Sequence, residues 1–140
     1  MVPERFPPDD PREWLNRAKS NLIQAKGEKP GVYREDLCFQ AQQAAEKAFK
    51  ALLLQRGVRF PYVHDLAELI ELLERHGERI PPGIHEVARL TSYAVETRYP
   101  GLAEPVTREE YEVAVTLAEE VVRWVEKALE CHEEESSNLS

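Results

Sequence analysis

The stretch that decides the fold is DLCFQAQQAAEKAFKALLLQRG, residues 36–57. Small and apolar residues return in it at spacings of three and four, the period of an amphipathic helix. These residues are Leu37, Ala41, Ala44, Ala45, Ala48, Phe49, Leu52 and Leu53. The alanines make the helix narrow, so we expect neighbouring helices to pack closely around it. The polar side chains are expected on its surface, and they are Gln40, Gln42, Gln43, Glu46, Lys47 and Lys50.

Two capping patterns mark the first and last helices of the chain. The sequence DPRE at residues 10–13 combines an N-cap acid, a proline at the first helical position and an acid in the first turn. The helix that it opens is expected to reach about Lys26. Thr107 and Glu110 have the spacing of a capping box, which predicts a last helix ending near Cys131.

Prolines and glycines divide the middle of the chain. The central helix is expected to end at Gly57, because glycine readily adopts the left-handed conformation found after a helix. A third helix is predicted from His64-Asp65 to Gly77. A fourth opens at the proline pair 81–82 and stops at the sequence YPG, residues 99–101.

These patterns predict an all-α fold. We expect an antiparallel up-and-down bundle of four principal helices plus a shorter one, because five helical periods alternate with short links. Residues 1–9 are proline-rich and expected to be irregular, residues 10–132 form the bundle, and residues 133–140 are an acidic tail expected to be disordered.

The charge balance restricts the classes of partner. The 140 residues carry a formal net charge of −8, opposite to that of a generic nucleic-acid binder, so any RNA contact requires a local basic patch. No apolar run approaches the length that crosses a bilayer, and the first ten residues lack a signal-peptide core. We therefore expect a cytoplasmic protein that binds neither membrane nor DNA.

The two cysteines and the lack of known motifs restrict the chemistry. Cys38 and Cys131 have no metal-binding spacing, and the chain has no glycine-rich phosphate loop, HExxH or GxSxG motif. We expect no metal site and no cofactor. Twelve arginines against six lysines are typical of a thermophile.

Two loop regions are candidates for a binding site. Residues 59–66 (RFPYVHDL) join the second and third helices, and residues 93–100 (YAVETRYP) close the fourth. Each places ionisable or aromatic groups at a helix end, where backbone groups are available to a ligand.

Ligand-binding and structural interpretations are both open for these residues. We place the ligand-binding contacts at His64, Asp65, Arg98 and Tyr99. In the structural interpretation, Asp65 caps the third helix and His64 caps it or pairs with Asp65. Arg98 then bonds the free carbonyls of the fourth helix, and Tyr99 fills the end of the bundle.

The two tryptophans allow a similar choice. Trp14 and Trp124 lie at helical spacing among apolar residues, which is typical of core positions. Lining a pocket is the alternative for both.

The sequence resembles that of the small prokaryotic HEPN domains. The resemblance rests on FQAQQAAEKAFKALLLQRG (residues 39–57), Pro61, HDL (64–66) and TRYPG (97–101), and it covers the chain from about Trp14 to Trp124. It implies an up-and-down helical bundle that usually forms a homodimer. It also implies one of two roles: a nucleotide-binding or interaction module encoded beside a minimal nucleotidyltransferase, in a toxin–antitoxin-like pair, or a metal-independent ribonuclease toxin.

The nuclease branch of this family carries an arginine followed, after four to six residues, by a histidine. Arg59 and His64 match that spacing, as do Arg79 and His85. In this alternative Arg59 stabilises charge on the phosphate and His64 acts as acid and base, although the family motif usually opens a late helix. The binding module is the preferred hypothesis, and a dimerisation scaffold without ligand chemistry is the third.

Overall fold

The structure, a computed structural model, describes residues 2–60, 62–96 and 105–139, without the side chains of residues 95, 96 and 132–139. The elements are α1 (Pro11–Ala25), α2 (Arg34–Gln55), α3 (Leu66–Arg75), α4 (Pro82–His85), a 3-10 helix (Glu86–Thr91), α5 (Ser92–Glu96) and α6 (Arg108–Leu139). Over these ranges every regular element is helical. The predicted all-α class is confirmed.

Helix α2 lies at the centre of the bundle. It contacts α1, α3, α5, α6 and the 3-10 helix. The four alanines at its centre are fully buried, as the narrow centre of the helix predicts, and they are Ala41, Ala44, Ala45 and Ala48. The absence of bulk at these positions lets the flanking helices approach the α2 backbone.

Local capping signals set the helix starts. The Asp10 side chain accepts a hydrogen bond of 2.9 Å from the Arg12 backbone N–H. Thr107 Oγ1 accepts from the Glu110 N–H, and Glu110 Oε1 accepts from the Thr107 N–H, both at 3.1 Å. This reciprocal pair is the capping box that the sequence predicts.

The predicted fourth helix is divided into α4, the 3-10 helix and α5. A 3-10 turn aligns residues three positions apart, and Val87 and Leu90 are both buried in this segment. The Leu66 N–H also donates to Thr91 Oγ1 at 3.0 Å, which ties the segment to the start of α3. The predicted stop at residues 99–101 lies outside the described residues.

The two chain ends differ from each other. Residues 2–9 have no helix or strand, but they fold back along α1 through side-chain hydrogen bonds. Helix α6 continues past Cys131 to Leu139, through most of the segment expected to be disordered. Residues 132–139 contain neither proline nor glycine, and glutamate favours helix, so no residue in the segment stops the helix.

Among the described residues, none of the helices combines the length and apolarity needed to span a membrane.

We expect Ala45→Leu to lower the free energy of unfolding by about 1–3 kcal/mol, because the added methylenes overpack a fully buried site. Ala67→Leu on the exposed face of α3 is the control, since leucine and alanine have similar helix propensities. Chemical denaturation measures both. Equal stability of the two variants would show that α2 is not closely packed at Ala45.

Candidate functional site

A stripe of buried polar side chains runs along one face of α2. Gln42, Glu46 and Lys50 lie four residues apart, so they share that face, and they are only 0%, 3% and 5% exposed. The expectation that these three residues lie on the surface is wrong. They are covered by the α2–α3 connection and by Trp14 of α1, which contact them from distant parts of the sequence.

The Glu46 carboxylate is the centre of this stripe. It lies 2.8 Å from His64 Nδ1 and 3.0 Å from Lys50 Nζ, and it accepts a 3.1 Å hydrogen bond from Gln42 Nε2. Burial acts to raise the pKa of Glu46, but the bonds from His64 and Lys50 outweigh burial and hold it below the ordinary 4.5. Glu46 is therefore ionised at neutral pH.

The ionised carboxylate determines how His64 is oriented. A carboxylate only accepts hydrogen bonds, so His64 Nδ1 carries the proton and donates it to Glu46. The backbone carbonyl of His64 also accepts a 3.1 Å bond from Gln42. Nε2 has no partner among the described residues, and the side chain is 47% exposed. The site therefore presents one fixed imidazole edge to solvent.

Lys50, the third residue of the stripe, lies beside two aromatic rings. Lys50 Nζ lies 5.4 Å from the centre of the Phe60 ring and 5.9 Å from that of Trp14. The two rings meet edge to face with their centres 5.7 Å apart. Lys50 is thus held by a carboxylate and two π faces, which makes it a structural counter-ion for Glu46.

Both tryptophans are half-buried, and they differ in their surroundings. Trp14 packs against the core and also lines a groove beside the N-terminal segment. Trp124 packs against the core on α6. The pocket interpretation therefore applies to Trp14, and the core interpretation applies to both.

Asp65 has the structural role that was one of its two interpretations. Its side chain accepts a 3.0 Å bond from the Ala67 N–H and caps α3. The preceding amide of this helix end, that of Leu66, is occupied by Thr91. His64 pairs with Glu46, and the contacts of the described residues include none between His64 and Asp65.

The remaining predicted site residues fall into two groups, those outside the described residues and those on the surface. Arg98 and Tyr99 lie outside the described residues. Arg59 is exposed and forms no hydrogen bond or ion pair within the described part of the chain. His85 pairs at 3.4 Å with Glu74 on the surface.

Other chemistry has little support in the described residues. Burial raises the pKa of the Cys38 thiol to about 11, which keeps it protonated and a poor nucleophile. No group of three His, Cys, Asp or Glu side chains in the described ranges is placed to hold a metal ion.

Sequence reasoning missed Glu46 as the residue that holds His64. The sequence did contain a signal that Glu46 is buried, because apolar residues occupy most of the circumference of α2. Polar residues within such a helix lie under other elements. The partner of Glu46 was not readable, since it lies eighteen residues away across a loop.

Comparisons with known proteins place the chain in a family. The HEPN domain family matches residues 11–128. The crystal structure of TT1696 from Thermus thermophilus superposes with a TM-score of 0.72 and 37% identity, over 84% of this chain and 96% of that chain. ST0689, an archaeal HEPN homologue, gives 0.69 and 27%, over 85% and 97%. A HEPN domain protein from Thermotoga maritima gives 0.54 and 26%, over 86% and 93%.

No curated protein matches the sequence. The family match covers most of the chain, and the two most similar of these structures share its helical fold at 37% and 27% identity over the aligned residues. The chain therefore belongs to the HEPN family.

Proposed function

We propose that the chain is a HEPN-type binding module that contacts a nucleotide or RNA through His64. The observation that carries the proposal is the half-exposed imidazole held by the buried Glu46 carboxylate. Burying a carboxylate costs several kcal/mol, and apolar residues of similar size often stabilise a core as well as an ion pair does. Orientation of His64 is a functional reason for this arrangement.

The fixed edge of His64 suits the chemistry of nucleotides. Its Nε2 accepts a hydrogen bond from a ribose hydroxyl or a base when neutral, and donates to phosphate when protonated. Asp65, Arg98 and Tyr99 complete the proposed contacts, with the Asp65 carboxylate accepting a hydrogen bond from a ribose hydroxyl and not facing the phosphate. The planar guanidinium of Arg98 would bind phosphate, and the Tyr99 ring would stack on a base.

We also infer that the module forms a homodimer and engages a minimal nucleotidyltransferase in a toxin–antitoxin-like pair. Family membership supports this inference, because small HEPN proteins are often dimeric.

A metal-independent endoribonuclease is the second candidate function. The observation in its favour is the Glu46–His64 pair, since a carboxylate that orients an imidazole is a common arrangement for general acid–base catalysis. Arg59 would stabilise the phosphate. Arg59 lies in the α2–α3 connection and not at the start of a late helix, and the net charge of −8 opposes RNA, so binding is the better-supported function. The scaffold hypothesis assigns His64 and Glu46 to stability alone.

We expect His64→Ala to weaken ATP binding about tenfold or more, because a hydrogen bond to a charged group contributes about 1.5–3 kcal/mol. Isothermal titration calorimetry measures the affinity, and Arg98→Ala is titrated in parallel. His85→Ala is the matched control, since His85 is another half-exposed histidine paired with a glutamate. Unchanged affinity in both site variants would show that neither His64 nor Arg98 contacts ATP, and a wild-type protein that binds no ATP would favour the scaffold hypothesis.

The nuclease hypothesis predicts RNA cleavage by the purified protein in EDTA, with loss of cleavage in His64→Ala and in Arg59→Ala. The same wild-type protein should slow growth when expressed alone, and co-expression of a cognate nucleotidyltransferase should relieve the effect. Denaturing electrophoresis of labelled RNA measures cleavage. Intact RNA beside wild-type protein that still binds ATP would favour the binding module over the nuclease.

We expect Glu46→Gln to lower the free energy of unfolding at pH 7 by about 3–5 kcal/mol, because Lys50 is left buried without its anion. The pKa of Glu46 is depressed in the folded protein, so its stabilising charge is present above pH 4.5 and is lost as the pH falls through the lower folded value. The difference in the free energy of unfolding between wild type and Glu46→Gln should therefore shrink below pH 4.5.

Chemical denaturation as a function of pH measures this gap. Glu71→Gln is the control, because it removes a carboxylate that is 61% exposed on α3. A gap between wild type and Glu46→Gln that stays constant down to pH 3 would contradict the assignment of a stabilising negative charge to Glu46.

A further inference from the structure

A groove of about 320 Å3 lies between the N-terminal segment, α1 and α2. Its volume is at the lower end of the range of about 300–1,000 Å3 that is usual for small-ligand sites. A smaller cavity of about 150 Å3 shares Arg5, Glu13 and Arg17 with it. The side chains that matter for binding are three cations, two aromatic rings and one carboxylate, namely Arg5, Arg17, Lys47, Phe6, Trp14 and Glu13.

The N-terminal segment is fixed in place as one wall of the groove. The Phe6 N–H donates to Glu13 Oε1 at 2.9 Å, and Trp14 Nε1 donates to the Pro8 carbonyl at 2.7 Å. Asn16 Nδ2 donates to the Glu4 carbonyl at 3.0 Å. These three bonds attach the N-terminal segment to α1 at three points, so this wall of the groove is formed without a ligand.

The lining is cationic although the protein is acidic. Three cations and one carboxylate give the groove a formal charge of +2, against −8 for the whole chain. The carboxylate, Glu13, is already occupied by the Phe6 N–H and by Arg17 Nε at 2.7 Å. Arg5 forms no ion pair within the described residues, and the terminal guanidinium nitrogens of Arg17 make no hydrogen bond there.

Of the three cations, Lys47 has the surroundings that most favour binding of an anion. It is half-buried, and its Nζ bonds the neutral Asn21 Oδ1 at 2.8 Å, with no carboxylate within ion-pair distance among the described residues. Burial lowers its pKa below the ordinary 10.5, as expected for a lysine without an anionic partner. An anion in the groove would supply that partner.

The aromatic side chains give the groove a flat and rigid part. Trp14 is held by its N–H bond to Pro8 and by its edge contact with Phe60. Phe6 is held by its backbone bond and by the Arg12 guanidinium, which lies 4.0 Å from the centre of the ring. Rings fixed in this way stack on a planar ligand at low entropic cost.

We propose that this groove binds a nucleoside phosphate, with the base against Trp14 and Phe6 and the phosphates against Arg5, Arg17 and Lys47. The proposal rests on the proposed function, and it adds a nucleotide site on a surface distinct from the exposed edge of His64. The combination of aromatic rings and a net positive lining selects this ligand class, because a base needs a π surface and a phosphate needs guanidinium or ammonium donors.

A second cavity shows that size alone does not make such a site. A surface depression of about 370 Å3 on α3 is lined by Asp65, Glu68 and Glu71, with Arg75 as its one cation. Arg75 is already paired with Glu71 at 2.6 Å. This acidic lining repels phosphate, so charge favours the groove beside Trp14.

The test uses Trp14 as the reporter of binding. The chain has two tryptophans, so Trp124→Phe leaves Trp14 as the sole indole, and ATP is titrated while its fluorescence is followed. Arg5→Gln and Lys47→Met should each weaken ATP about tenfold, as expected for the loss of one charge-assisted contact. Adenosine and inorganic triphosphate should each bind more weakly than ATP, because each fills only part of the groove.

Arg123→Gln on α6 is the matched control, because Arg123 is paired with Glu119 one turn away, as Arg17 is with Glu13. It should leave ATP affinity unchanged. Thermal unfolding followed by circular dichroism confirms that every variant is folded, and Lys47→Met removes the charge while keeping an unbranched aliphatic side chain.

The outcomes separate the groove from the proposed function. If ATP binds and His64→Ala weakens it while Arg5→Gln and Lys47→Met do not, the groove proposal is overturned and the His64 site stands. If only the groove variants weaken binding, the groove stands and the His64 contact is wrong. If wild-type protein does not bind ATP at about 1 mM, both proposals fail.

Discussion

The buried negative charge of Glu46 is the constraint on which the rest of this structure depends. A carboxylate in a core must be neutralised and hydrogen-bonded, and here Lys50 from the next turn and His64 from the following loop do both. The loop is thereby held against α2, and it delivers Asp65 to the start of α3 as its cap. One buried charge thus connects the central helix, the loop and the next helix.

Helix α2 both forms the core and orients the His64 side chain, because one of its faces is lined with alanine and another is polar. The alanine face lets α1 and α6 approach closely, which forms the core of the bundle. The polar face, one side of the same cylinder, fixes the imidazole of His64. Lys47 lies next to Glu46 in the sequence and lines the groove beside Trp14. A single helix therefore contributes side chains to both surfaces that we associate with ligand binding.

Charge distribution bears on what a HEPN protein of this kind can recognise. The overall charge of −8 disfavours extended contact with a nucleic-acid backbone, while the cationic groove favours a small anion with an aromatic part. A mononucleotide fits this balance better than a long RNA does.

The sequence by itself determined the features whose causes are local. The helix period around Ala45, the N-cap at Asp10 and the capping box at Thr107 each depend on residues within one or two turns, so they were predictable. The tertiary structure alone decided which polar residues are buried. On a helical wheel Glu46 cannot be told from a solvent-exposed polar residue. Its face of α2 is buried only because the loop that carries His64 and the ring of Trp14 cover it. Burial and partner choice depend on elements far apart in the chain, and no local pattern encodes their approach.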